Sequence, residues 1–515
     1  MSAVFAVAVV TATVILVTRD DSSAPTSARA EAAESSASDP DDAEIAAVES
    51  GGTDLDHLRP IPTATSRPPY DGWVDPESSG EPQSETVAGL LTFRGNATRS
   101  WYGVGPVPED PEVVWSYPAA DRMCGISDPG TGPVTWCGTG WTGQPAVFER
   151  EGRTWAVFGA YDYNVHFVDA VTAEEILAPF PTGDIIKGSV SIDPDGFPLV
   201  YTGSRDNYLR VVAFDRDEPV ELWALSADAA GVRKWNNDWD GSPLVIDDHL
   251  FVGGENSVFH IVKLNRGYDD DGLATVSPEL VFAAPGWDAD LIAAVGENVS
   301  IENSVAVSGD TVYFANSGGL VQGWDISGLS TGATPERVFR YWVGDDTDAS
   351  VVVDDDGFLY VAVEYERGTA RSNEIGQLLK LDPRRPDDPV VWGVFENGVI
   401  DGGFWATPAI HGDMLYASTN GGRLMGIDRA TGEIVWEKRL PGPLWSSQVV
   451  VDDVLIQGDC SGVLHAFDVS NPRIDPPELW QVALEGCIES TPAMWNGRII
   501  VGTRAGQVHM VADPA

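Results

Sequence analysis

The chain has 515 residues, with 79 acidic against 31 basic side chains and a net charge of −48. So acidic a chain excludes nucleic acid as a partner, because phosphate binding needs a basic face. Length alone would allow several domains, but an internal repeat overrides that count.

Residues 3–17 (AVFAVAVVTATVILV) form one apolar run, followed by Arg19, Asp20 and Asp21. A full membrane span takes roughly 20 residues, so this run is short for one. A cleaved signal peptide is the alternative, but it lacks a basic leader, and the Ala-x-Ala at Ala28–Ala30 lies far from the run. Residues 1–18 are therefore read as a single-pass transmembrane anchor, or as a signal segment that leaves a secreted protein. Either way the remainder lies outside the cytoplasm. Residues 19–87 are rich in Ala, Ser, Pro, Asp and Glu, and are expected to form a disordered acidic stalk.

From residue 88 onward one pattern recurs. It is plainest in FWATPAIHGDMLYASTNGGRLMGIDRATGEIVW, which starts at Phe404, and in LWSSQVVVDDVLIQGDCSGVLHAFD directly after the next linker. Four short alternating runs joined by tight turns make a four-stranded antiparallel meander. Such a unit cannot bury both of its faces alone, so repeats of this length stack radially into a β-propeller. Eight inner strands align from starts at Pro145, Val190, Pro243, Val305, Val351, Pro408, Gln448 and Pro492. A hydroxyl precedes seven of the eight starts: Ser189, Ser242, Ser304, Ser350, Thr407, Ser447 and Thr491, with Gln144 in the first. Most third strands end in Asp, among them Asp169, Asp325, Asp428 and Asp468, where a carboxylate can cap the following turn. Fourth strands end in Trp223, Trp392, Trp436 and Trp480. The last repeat runs out before its fourth strand, and Glu112–Trp115 (EVVW) has the missing pattern. The expectation is an all-β, eight-bladed propeller over 88–515, closed by an N-terminal strand that removes the open edge.

Four cysteines in an exported chain suggest two bridges, Cys124–Cys137 and Cys460–Cys487. The first pair shares one loop before blade 1. In the second, both segments leave blade 7 on the same face.

Two stretches carry a family resemblance. The opening Phe93-Arg-Gly-Asn-Ala-Thr-Arg99, the turn Gly105-Pro-Val-Pro108 and Val113-Val-Trp115 form one. The other is the D-x-x-T-G-x-x-x-W of Asp428 to Trp436. Together they resemble bacterial propellers with pyrroloquinoline-quinone-type (PQQ-type) repeats, over residues 88–515. That superfamily holds the quinoprotein alcohol dehydrogenases and also non-enzymatic scaffolds such as the outer-membrane assembly lipoprotein of Gram-negative bacteria. The vicinal Cys-Cys pair of many such dehydrogenases is absent here.

The loops entering the inner strands should line the mouth of the central channel. Three positions before the starts stand Thr142, Lys187, Asp240, Glu302, Asp348, Trp405, Trp445 and Glu489, with Asn303 beside Glu302. Carboxylates converging with an amide oxygen suit Ca²⁺. In the enzyme that the resemblance allows, Glu302 and Asn303 would be metal ligands and Asp348 or Asp240 the base. Lys187 would meet the quinone oxygens, and Trp405 or Trp445 would be the stacking floor. The plainer reading pairs Lys187 with Asp240 or Glu302 in an internal network. The sequence is read as a monomeric, membrane-tethered scaffold that binds a protein partner in the cell envelope. A PQQ/Ca²⁺-dependent dehydrogenase of alcohols or sugars is the alternative.

Overall fold

The computed structural model describes residues 70–130, 132–140 and 143–514. Contacts divide the chain into two units, Arg59–Ser127 with Thr135–Ala515, and Met1–Leu58 with Asp128–Val134. In the described part of the second unit, Asp128 accepts the N–H groups of Gly130 (2.8 Å) and Gly132 (2.9 Å). The first unit is the propeller. The anchor at 1–18, the stalk as far as residue 69, and Thr142 lie outside the described residues. Among the described residues no helix is long and apolar enough to cross a membrane.

Eight sheets of four antiparallel strands follow one another along the chain. Blade 6 is typical, with Ala409–His411 innermost, then Met414–Ser418, Arg423–Asp428 and Ile434–Arg439. The period-2 pattern divides each blade between its two neighbours. In blade 1, Ala156, Phe158 and Val168 pack with Ile500, Val508 and Met510 of blade 8. The alternate residues Trp155, Val157 and Phe167 pack with Val200, Val212 and Phe214 of blade 2. Every third-to-fourth strand pairing has a register shift, so each outer edge twists away from its neighbour.

The repeat residues do architectural work. Asp428 Oδ1 takes the N–H groups of Ala430 (3.0 Å) and Thr431 (2.9 Å) and the Thr431 hydroxyl (3.0 Å). Gly432 follows at φ +75°, and a Cβ there would sit 2.7 Å from the Trp392 ring of the preceding blade. Three of the terminal tryptophans tie their blade to the next. Trp392 Nε1 donates to Arg429 O (3.0 Å), Trp480 Nε1 to Pro108 O (2.8 Å) and Trp115 Nε1 to Ala170 O (3.2 Å). The hydroxyls before the inner strands form a chain around the channel. The backbone N–H of Gln144, Ser242, Ser304, Ser350 and Thr407 each donates to the hydroxyl at the same position of the next blade, at 2.9–3.0 Å.

Glu112–Tyr117 pairs antiparallel with Gln507–Ala512 and closes the ring as expected. The preceding segment does something the sequence reading did not foresee. Residues 88–105 plug the channel, and in six of the eight blades the plug meets the inner strand two residues past its start. Leu90 pairs with Val147, and Leu91 O takes the N–H of Ile192 (2.7 Å). Ala97 O takes that of Val307 (2.8 Å), Thr98 O that of Val353 (3.0 Å), and the Tyr102 hydroxyl that of Ile410 (2.8 Å). Gly103–Val104 runs parallel to Ala493–Trp495.

Residues 70–87 correct the expected stalk boundary, because they are packed rather than disordered. Trp73 stands edge-on to Phe251 (5.7 Å between centroids), Val74 bridges to Gly309, and Gln83 Nε2 donates to Val245 O (3.2 Å). Two large apolar side chains, Trp73 and Val74, find a ready face on blades 3 and 4, which a reading by composition passed over.

Candidate functional site: the channel mouth

Among the described residues, those expected to line the mouth bond to neighbours from one blade to the next around the rim. Lys187 enters from blade 2. Its ammonium is 2.7 Å from Asp240 and 3.1 Å from Asp238, both on the loop entering blade 3, and 2.7 Å from Glu255. Arg205 stands 3.9 Å from Asp238. Burial alone would depress the Lys187 ammonium, but Asp238, Asp240 and Glu255 together hold it well above its ordinary range. Burial, and then the neighbouring Asp238, push Asp240 well above the usual carboxylate range, and burial raises Glu255 to about 7.

One blade on, Glu302 accepts the hydroxyls of Ser300 (2.6 Å) and Ser317 (3.2 Å), and Ser317 also reaches Asp348 (3.1 Å). Asn303 is a backbone fastener. Its amide donates to Ala315 O (3.0 Å) and Thr347 O (2.9 Å) and accepts the Ala315 N–H (3.3 Å). Trp405 and Trp445 meet edge to face, 5.2 Å between centroids and 81° between planes. Glu489 takes Arg504 at 2.9 Å, and Arg504 lies over the Trp136 and Tyr161 rings. Both expected disulfides, Cys124–Cys137 and Cys460–Cys487, are present.

A second carboxylate group was not anticipated as a set. Asp346, Asp348 and Glu364 are buried, each with an oxygen within 4.8 Å of the others. Arg367 approaches Asp346 (3.5 Å) and Asp345 (3.6 Å). Asp345 itself accepts the N–H groups of Asp346, Arg367 and Gly368 at 2.8–3.0 Å. Glu255 and Glu364 were missed because the alignment followed the inner strands alone. Both stand two residues past the end of a second strand, as do Tyr161, Arg205, Asn420 and Cys460. That turn opens on the same mouth, so aligning the chain by second-strand ends would have exposed them.

Of the residues assigned to a quinone and Ca²⁺, Lys187, Asn303, Trp405 and Trp445 are engaged with the chain's own groups. The Lys187 ammonium is enclosed by three carboxylates, the Asn303 amide serves three backbone groups, and each tryptophan ring abuts the other.

Residues 376–512 match the sequence model of the family described as outer membrane protein assembly factor BamB. No curated protein matches the chain. Among solved structures, a europium-containing methanol dehydrogenase aligns at 12% identity and TM-score 0.52, covering 83% of this chain and 98% of that one. The quinohemoprotein alcohol dehydrogenase ADHIIG of Pseudomonas putida HK5 aligns at 11% identity and TM-score 0.54, over 83% and 82%. BamB of Moraxella catarrhalis aligns at 12% identity and TM-score 0.37, over 79% and 99%. The repeat match and the eight closed blades make this chain a β-propeller with repeats of the PQQ type.

Proposed function

We propose that the propeller is a rigid protein-binding scaffold of the cell envelope, monomeric and held outside the cytoplasm by its N-terminal segment. One observation carries this reading: the polar groups of the channel mouth are committed to one another. Lys187 is bound by Asp238, Asp240 and Glu255, while Glu302 and Asp348 share Ser317. The other end of the channel is filled by the chain's own residues 88–105. A ring fixed at both ends presents loops and turns at constant geometry, which suits a surface that organises partners. Its acidity directs it toward basic surfaces and away from anionic ones.

The competing reading is a PQQ/Ca²⁺-dependent dehydrogenase, favoured by the carboxylates Asp346, Asp348 and Glu364 at the same mouth. One experiment separates the two. The purified chain is incubated with PQQ and Ca²⁺, and then examined for a bound-quinone spectrum and for dye reduction with alcohols and sugars. The scaffold gives neither signal, whereas quinone binding with turnover overturns it.

A further inference from the structure

The N-terminal segment leaves one inner strand unmet two residues past its start, although Arg94 of the plug reaches Gln448 O at that start (2.5 Å). In blades 1 to 6 and in blade 8, the residue two past the start bonds to the N-terminal segment through a plug carbonyl, the Tyr102 hydroxyl, the Gln83 amide or a strand bridge. In blade 7 that residue is Val450, and no hydrogen bond to its N–H or C=O occurs among the described residues. The hairpin geometry fixes where those groups point. Val451 and Val454 flank a two-residue turn, Asp452 (φ +49°) and Asp453 (φ +61°), so they form the hydrogen-bonded pair nearest the turn. Val450 opposite Leu455 is then a non-bonded pair, whose N–H and C=O face away from the second strand and into the channel.

A groove of about 780 Å³ opens there, between Trp101–Gly105 of the plug and the first turns of blades 5, 6 and 7. Tyr102 and Val450 line it, and Asp354, Asp355, Asp413 and Asp452 stand in its wall. Its one arginine, Arg429, is bonded to Asp354 (2.9 Å) and lies 3.5 Å from Asp355. His411 is bonded to Asp453 (2.7 Å). The groove thus combines an open strand edge with a surplus of carboxylates.

We propose that this groove takes an extended, basic peptide segment of a partner protein. One peptide residue bridges Val450, and flanking lysines or arginines reach Asp355 and Asp413. Elsewhere the plug's own backbone docks on inner strands in short stretches: Gly89–Leu90 on Val147 and Phe148, and Gly103–Val104 on Met494 and Trp495, are two-residue additions to an inner strand. Recognition is by backbone and by charge, so a generic sequence can probe it.

The inference rests on the scaffold reading but is tested apart from it. The probe is the blocked heptapeptide Lys-Thr-Lys-Val-Lys-Thr-Lys, compared with its glutamate counterpart and with a version N-methylated at the central valine. Hydrogen exchange of the full chain is followed by mass spectrometry over residues 448–455. Millimolar basic peptide should slow exchange at Val450 at least tenfold, while the glutamate and N-methyl peptides leave it unchanged. Asp355→Lys with Asp413→Lys, both exposed and remote from the core, should weaken the effect at least tenfold. No slowing with the basic peptide, or equal slowing with all three, overturns the proposal. Either failure leaves the quinone experiment to judge the scaffold reading separately.

Discussion

The two ends of the central channel solve the problem of a buried cation in opposite ways. At the plugged end, Arg94 and Arg99 are fully buried and bond to oxygens that carry no net charge. Arg94 reaches Gln448 O (2.5 Å) and Pro408 O (2.7 Å), and its guanidinium lies 4.3 Å from the Tyr102 ring centroid. Arg99 reaches Val305 O and Phe93 O (both 2.8 Å) and the Thr92 hydroxyl (3.0 Å). At the open mouth, Lys187 is held by three carboxylates. Burial lowers Arg99 to about 9, whereas the carboxylates lift Lys187 far above its usual value. A cage of carbonyls supplies direction without charge, because the inner strands fix its geometry. A cage of carboxylates supplies charge, so its strength depends on their protonation. The plug is therefore a structural fastening indifferent to pH between about 5.5 and 8, below the value of about 9 to which burial lowers Arg99, and the mouth a charged network sensitive to pH in that range.

The largest test removes the plug and the closing strand together. A chain beginning at Asp121 loses the inner-strand contacts of residues 88–105 and the outer strand of blade 8, and it should show no cooperative unfolding. Trp115→Ala alone keeps the strand but deletes the tie to Ala170, and should cost about 3 kcal/mol. Should the shortened chain melt like the full one, the plug is an accessory and the contrast between the two ends fails.

Next come the two cations themselves. Arg99→Met strands two buried carbonyls and should cost about 3 kcal/mol, equally at pH 5.5 and pH 8. Lys187→Met leaves Asp238, Asp240 and Glu255 facing one another, costing about 3–5 kcal/mol at pH 8. Less is lost at pH 5.5, where Asp240 and Glu255, both raised by burial, take up protons. The sign follows from Glu255, whose folded value of about 7 lies above the unfolded one. Its contribution is most favourable below about pH 4.5 and is lost as pH rises through 7. Denaturant unfolding of both variants at the two pH values checks the pair. Equal pH dependence would erase the distinction.

What could be read from the sequence divides along the same line. The eight blades were legible because tight turns, hydroxyls and terminal tryptophans recur at fixed positions, and each recurrence has a local cause such as the Asp428 cap or Gly432 against Trp392. The closing strand was legible because Glu112–Trp115 repeats the fourth-strand pattern. The plug was not, since its contacts are backbone bonds to strands between about 60 and 400 residues away, which no periodicity reports. At the mouth, spacing set Lys187, Asp240, Glu302 and Asp348 at equivalent positions, and contacts join Lys187 to Asp240 and Glu302 to Asp348 through Ser317. It gave no guidance on Glu255 or Glu364, which arrive from a different turn, nor on which neighbour each carboxylate chooses.

A smaller effect isolates acid sensitivity in the body of the blades. His260, on the third strand of blade 3, is fully buried against Trp239 (5.2 Å between centroids), and among the described residues no side chain bonds to either ring nitrogen. Burial lowers it to about 4. A histidine held neutral in the fold contributes stability above its unfolded value near 6.5, lost as pH falls toward 4. At pH 5 that loss is about 2 kcal/mol. His260→Met, of similar volume, should remove it, so the variant gains about 2 kcal/mol on its parent between pH 8 and pH 5. An unchanged difference would show that His260 does not carry the acid response.

The smallest expected effect decides what the mouth is for. Glu302 accepts the Ser300 and Ser317 hydroxyls through one oxygen, a role that a glutamine amide oxygen fills equally well. What Glu302→Gln removes is a negative charge that raises both Asp240 and Glu255. If the network is self-contained, relief of that repulsion leaves the variant neutral or more stable by up to about 0.5 kcal/mol at pH 8, with less change at pH 5. Ca²⁺ should then leave the melting temperature of parent and variant alike. A resident cation reverses every sign: Ca²⁺ would raise the parent's melting temperature with concentration, as any ligand of the native state does, and Glu302→Gln would destabilise and abolish that rise. The first outcome is expected, because Lys187 already supplies the positive charge nearest to Asp238, Asp240 and Glu255, and two serine hydroxyls satisfy Glu302. A saturable Ca²⁺ shift lost in the variant would turn the open end of the channel from a fastening into a metal centre.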